Sequence, residues 1–254
     1  KKRVFGKEVI EDVLNNLCRE NEQKIEWTTQ DIEELYNYIY LELIESVDGV
    51  DNGASQYELE EAPKYRVSTD LSCRISRMNS SWNETKSGSS REHLEMQRFE
   101  KAMKICGEEL IDFIRIGAFS FLPARRIVQM ALSNRHIVHH SLQIIELPSF
   151  CPWTDHLFDL EQKLLADSQT NQAKPVLFAI IATDNNEYIV RATPLYPKST
   201  KLRKQLKPNW CGVPDNEIED VSGIRGLKFV HSSGFLGGTK TRQAALDLAV
   251  QSLS

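Results

Sequence analysis

The segment FVHSSGFLGGTKTRQAALDLAVQSL, residues 229–253, decides how the C-terminal half of this 254-residue chain is read. Leu227, Phe229 and Val230 suit a buried strand. Gly234, Gly237 and Gly238 suit a turn whose backbone angles side chains disfavour, and the remainder suits a terminal helix. Thr239 stands where an N-cap belongs, so the free N–H groups and positive dipole end of that helix are expected to face the turn bearing His231, Ser232 and Ser233. Such an arrangement binds anions. The same glycines also fit an ordinary strand-to-helix connection in which they solve only a packing problem, and the sequence leaves both open.

Outward from that segment, composition sets the limits. The length allows one large domain or two small ones, of which two is the preferred expectation. An apolar share of 41% with 26% charged residues is that of a globular protein, and no apolar run approaches the roughly 18 residues that span a bilayer. No membrane partner is expected. A net charge of −5 excludes the global positive field of a non-specific nucleic-acid binder, so such a partner needs a local patch. Cys18, Cys73, Cys106, Cys151 and Cys211 are odd in number and never in C-x-x-C spacing, which argues against a disulfide framework or zinc cage and for a reducing interior. The chain starts KKRVFGKEVI, without initiator Met, secretory or transit signal, and is read as a fragment.

Residues 7–20 predict a first amphipathic helix. Thr28 and Asp31 open a second in capping-box spacing, which runs to about Ser46 or Val47 and delivers the chain to a VDGVDNG turn. Asp48 then lies at a helix C-terminus, where a carboxylate is unfavourable unless a cation compensates; solvent or a nearby Lys or Arg also serves, and an exposed Asp-Gly/Asn-Gly turn fits the same residues. Residues 80–91 predict a loop, residues 92–116 a long helix, and Pro123 the start of another through Leu132. Arg125 and Arg126 in its first turn oppose the dipole, which suits an acidic or phosphate partner for one of them, although side chains so placed more commonly snorkel to solvent. Beyond residue 136 the period changes. IVHHSLQIIEL alternates as a strand that would send His139 and His140 to opposite faces, and a short helix covers about Trp153 to Leu165. The runs Val176–Thr183 and Tyr188–Thr193 form a hairpin.

The stretch PKSTKLRKQLKPNW concentrates Lys198, Lys201, Arg203, Lys204 and Lys207 before Trp210. A cationic loop beside an aromatic plate binds single-stranded nucleic acid by phosphate attraction and stacking. A solvated loop anchored to the core by its Trp fits the same residues.

Together VDGVDNG, FLPARRIV, CPWTDHL, VSGIRG and FVHSSGFLGGTKTRQAALDLA resemble the eukaryotic melanocyte-proliferating-gene family, which is similar to the DHH phosphoesterases; the resemblance covers almost the whole chain, in order. It implies an α/β protein, α+β in the covered part. Residues 1–80 would be the C-terminal helical remnant of a DHH-like catalytic domain, 81–135 a helical connector, and 136–254 a smaller α/β substrate-binding domain with a mixed sheet. The implied activity is metal-dependent 3′-to-5′ exonuclease action on RNA or other nucleic-acid ends, using a divalent Mn²⁺ or Mg²⁺ centre in the intact protein.

The main catalytic and metal-binding residues of the family would precede Lys1, so no catalytic residue is assigned here and the chain alone is expected to bind no metal and to be inactive. Asp51, with Asp48 as the other candidate, matches the last carboxylate motif of the metal centre. His231, Ser233, Gly234, Gly237 and Gly238 match the glycine-rich stretch that receives substrate phosphate, with Arg242 as a bidentate donor one turn on and Arg125 as a further candidate. The resemblance also implies nucleus and mitochondrion as compartments, and a homo-oligomer is compatible with it. The alternative is a non-catalytic module that binds nucleic acid or a phosphorylated ligand.

Overall fold

The computed structural model describes residues 6–20, 25–54, 67–84, 89–166 and 174–254. They divide into two compact units, residues 1–122 and 123–254.

The first unit is helical. Helix α1 (Lys7–Glu20) and α2 (Thr29–Ile39) pack with α5 (Ser89–Ile116), and Ile10, Leu14, Leu35, Ile39 and Ile114 are fully buried among them. The predicted capping box opens α2: the Thr28 hydroxyl accepts from the Asp31 amide at 3.1 Å and the Asp31 carboxylate accepts from the Thr28 amide at 3.1 Å. The helix does not end near Val47. It passes through a π-helical turn (Tyr40–Ile44) into α3 (Glu45–Asp51), and the chain leaves only at Asn52-Gly53, with Gly53 at φ 66°. Asp48 therefore lies in the last turn of α3, in keeping with a helix C-terminus, but the helix ends four residues later than its sequence suggests. A short α4 (Leu71–Ser76) is capped by the Asp70 carboxylate. Of the loop predicted over residues 80–91, residues 85–88 lie outside the described residues and α5 already begins at Ser89.

Pro123 does not start a helix. Helical backbone runs from α5 through a second π turn (Gly117–Phe121) into α6 (Leu122–Ser133). The i→i+5 bonding of that turn, with the Leu122 amide donating to Gly117 O, absorbs a proline that cannot donate to the preceding turn. Gly117 is required for packing: a Cβ there would stand 2.3 Å from Leu35 Cδ1.

The second unit is a five-stranded mixed sheet in the order β1-β2-β3-β5-β4, with helices on both faces. Its strands are β1 (Ile144–Leu147), β2 (Phe178–Ala182), β3 (Tyr188–Ala192), β4 (Leu227–Val230) and β5 (Leu236–Thr239). Strands β1 and β2 are parallel, joined by a crossover containing α8 (Thr154–Ala166), and the predicted β2–β3 hairpin is present. Alternation divides the side chains between faces. Phe178, Ile180, Val190, Leu227 and Val230 pack on α10 (Arg242–Gln251) through Ala245 and Leu248. Ile145, Leu147, Ala179 and Ile181 pack on α6 and α8 through Val128, Leu132 and Leu157.

One expectation is corrected here. His139 and His140 do not lie on a strand; they follow the short α7 (Arg135–Val138), and their rings stand together at 4.1 Å instead of on opposite faces. Of the two readings of the basic loop, the structure has the second: Trp210 is buried in the core beside α9 (Ile218–Ser222) with Lys207 over its ring, and anchors the loop instead of presenting a stacking plate. Arg203 pairs with Glu161 and Lys204 donates to the Leu253 carbonyl, so these cations hold the fold.

Candidate functional site

The glycine-bearing segment is a hairpin followed by a helix, not a strand, turn and helix. Strand β4 ends at Val230 and β5 begins at Leu236, so Gly237 and Gly238 are central-strand residues flanked by β3 and β4. Both are buried, and their backbone groups point along the sheet to neighbouring strands. Their lack of side chains serves packing. A Cβ on Gly237 would stand 2.7 Å from Leu248 Cδ2 of α10, and one on Gly238 would stand 2.4 Å from Phe229 Cε1 on the opposite face. Thr239 belongs to β5, and the cap of α10 is Thr241, whose hydroxyl accepts from the Ala244 amide at 3.2 Å. The anion cradle expected of Gly237, Gly238 and the Thr239 cap is thus replaced by sheet pairing, because β3 offers a better partner for LGGT than solvent does.

Arg242 opens α10 but faces β1, where its guanidinium makes two hydrogen bonds to the Glu146 carboxylate at 2.7 and 2.6 Å. Those bonds raise the pKa of the guanidinium. Arg125 is buried and pairs with Asp159 of α8 at 2.6 Å, which meets the expectation of an acidic partner with a carboxylate of the protein itself. Burial pushes the Asp159 carboxyl up, but Arg125 and Lys163 outweigh it and hold the group below its ordinary value.

Asp48 and Asp51 are both exposed on α3, one helical turn apart, and the Asn52 side chain donates to Asp48 Oδ1 at 3.0 Å. Among the described residues no group of three or more His, Cys, Asp or Glu is placed to hold a metal ion. Two carboxylates on one exposed helix do not meet the four to six donors that a divalent ion takes, so the described residues do not fit the dinuclear centre.

What the fold does bring together is the loop between β4 and β5. His231 N donates to Leu236 O and Gly234 N donates to His231 O, both at 2.8 Å. Gly234 sits at φ 67°, a left-handed conformation that suits glycine, with Gln205 and Cys211 against it. The Ser233 amide donates to His231 Nδ1 at 3.2 Å, which places the proton of the neutral ring on Nε2. The His231 ring meets the Phe235 ring at 4.6 Å and 64°, and the Arg191 guanidinium carbon stands 5.8 Å from the centre of the same Phe235 ring.

Arg191 is the residue that sequence reading passed over. It pairs across β2 and β5 with Ala179 and Leu236, on the face that α6 and α8 cover over β1 and β2. Among the described residues no carboxylate pairs with it. It lines a pocket of about 550 Å³ whose other walls are residues 150–154, Ala192 and Pro194, Ser199, Thr200 and Leu202 of the basic loop, and the hairpin residues Ser233 and Phe235. Three stretches noted separately in the sequence, CPWTDHL, the basic loop and the glycine-bearing hairpin, therefore meet around one arginine. The walls offer the hydroxyls of Thr154, Ser199, Thr200 and Ser233 and the rings of Phe150, Trp153 and Phe235. Thr154 opens the 13-residue α8, which puts the positive end of that helix at the wall. Phe150 is 69% exposed. A half-buried cation among hydroxyls and aromatic rings suits an anion that carries a flat ring. A lone arginine in an apolar strand run was the one available signal, and only strand order reveals which face it occupies.

Comparison with known proteins agrees with the resemblance noted from the motifs. The model of a family described as Uncharacterised protein family (UPF0160), MYG1 exonuclease, matches residues 3–253. The chain is 35% identical to the MYG1 protein of Dictyostelium discoideum over 98% of its own length and 70% of the relative's. It is 37% identical to the MYG1 exonuclease of Homo sapiens over 87% of its length and 36% identical to that of Rattus norvegicus over 88%, spanning about half, 55%, of each of these relatives. No solved structure matches.

Proposed function

The chain belongs to the MYG1 family, and from that premise we propose that it is the connector and substrate-binding part of a metal-dependent 3′-to-5′ exonuclease acting on RNA. The names of the human and rat relatives support nuclease activity. The observation that carries the assignment of substrate binding to this chain is the Arg191 pocket, where a cation and the exposed Phe150 ring match the two features shared by all single-stranded nucleic acids, phosphate charge and base faces. His231, Ser233 and Gly234 enter the proposal as the hairpin that shapes one wall; Gly237 and Gly238 support that hairpin from the sheet, and Arg242 and Arg125 brace β1 and α8. Divalent Mn²⁺ or Mg²⁺ would supply the activated water in the intact protein, with Asp51 or Asp48 contributing one carboxylate to a centre whose remaining ligands lie outside the described residues. The part of this chain is to bind the strand and orient its end.

The test compares Mn²⁺-dependent hydrolysis of a single-stranded RNA by this chain and by a version carrying the additional length of its relatives. Hydrolysis by the longer form and at least a hundredfold less by the shorter is expected, in keeping with the large share of rate that metal-activated water supplies (about 10² or more). Comparable turnover by both would contradict the assignment.

A further inference from the structure

Resting on that reading, we propose that the Arg191 pocket is a subsite for a single nucleoside monophosphate unit, with the phosphate held at Arg191 and the base stacked on Phe150. At about 550 Å³ the pocket has the size of a one-molecule site and no room for a duplex. Its chemistry is divided. Arg191 has no carboxylate partner among the described residues, and Thr154 and Ser233 add hydroxyls to the walls of the same pocket. Phe150 holds a ring out at the rim in a loop between β1 and α8, where an apolar side chain gains nothing from the core. Phe235 is already occupied, with the His231 ring against it at 4.6 Å and Arg191 over its face, so it positions the guanidinium and does not act as a second stacking surface. A bare phosphate would use the cation and leave Phe150 in water; a nucleoside would use the ring and leave the cation uncompensated. A nucleotide satisfies both.

The shared chemistry has two sources, a free mononucleotide and the terminal nucleotide of a strand. The experiment measures binding of adenosine, inorganic phosphate, adenosine 5′-monophosphate and a ten-residue oligoadenylate to the whole chain by calorimetry, with Arg191→Gln and Phe150→Ala as variants. Phe150→Ala alters only an exposed side chain and so keeps the test valid should Arg191→Gln fold poorly. The monophosphate is expected to bind more tightly than either of its parts. Phe150→Ala should weaken the monophosphate and adenosine about tenfold, the size of one lost stacking contact, and leave inorganic phosphate unchanged. Arg191→Gln should bring the monophosphate down to the level of adenosine. Competition between oligoadenylate and the monophosphate assigns the subsite to a strand end. Monophosphate binding that the oligomer does not disturb keeps the subsite and removes the RNA reading. Oligomer binding that neither the monophosphate nor the variants disturb overturns the subsite and keeps the RNA reading. Inorganic phosphate binding as tightly as the monophosphate overturns the stacking half of the proposal and with it the subsite.

Discussion

Replacing Glu161 with alanine is expected to destabilise the second unit by about 3–5 kcal/mol, the cost of leaving a buried charge without its partner. Glu161 and Arg203 are 13% exposed or less at their side chains and meet at 2.7 Å. Glu161 also accepts from the Val176 amide at 2.7 Å, while Arg203 donates to the Val176 carbonyl at 3.0 Å and lies 4.4 Å from the centre of the Phe158 ring. One carboxylate thus ties α8, the entry to β2 and the basic loop to each other. Its removal strands a guanidinium and an amide together in a dry site. The check is the urea midpoint of the chain, and a loss below about 1 kcal/mol would mean that solvent reaches the pair freely.

The second large effect distinguishes glycine for packing from glycine for ligand. Gly238→Ala is expected to cost about 1–3 kcal/mol, the range for overpacking, because the new Cβ falls 2.4 Å from one Phe229 ring carbon and 3.0 Å from two others. Gly237→Ala should cost less, since its nearest neighbour at 2.7 Å is the flexible end of Leu248. Affinity of the folded protein for single-stranded RNA should be unchanged in both. An anion cradle at these amides would give the opposite result, near-native stability with weakened binding.

Much of the fold is legible in the sequence wherever a local rule settles the structure. The Thr28–Asp31 capping box, the β2–β3 hairpin around Asn186 and the helix after Trp153 follow from capping, turn chemistry and periodicity. The failures have one physical origin, which is tertiary partnership. LGGT carries no strand propensity, yet β3 and β4 on either side make it a central strand. The π turns at residues 40–44 and 117–121 keep helices running into the VDGVDNG segment as far as Asp51 and through a proline that local rules treat as a boundary. The site divides in the same way. His231, Ser233 and Gly234 are adjacent in the chain and stay adjacent in the hairpin. Arg191, Phe150 and Thr154 come together only through sheet order and the placement of α8, which no spacing encodes. Arg242 and Arg125 have the right chemistry for phosphate, but Glu146 and Asp159 satisfy them first.

The most direct measurement is amide hydrogen exchange of the chain with and without a saturating single-stranded RNA oligomer. Slowed exchange is expected in residues 150–154, 199–202 and 231–235, the three walls around Arg191, with little change at Arg242 and the start of α10. Protection confined to the start of α10, or none in those three segments while the RNA is bound, would contradict the account.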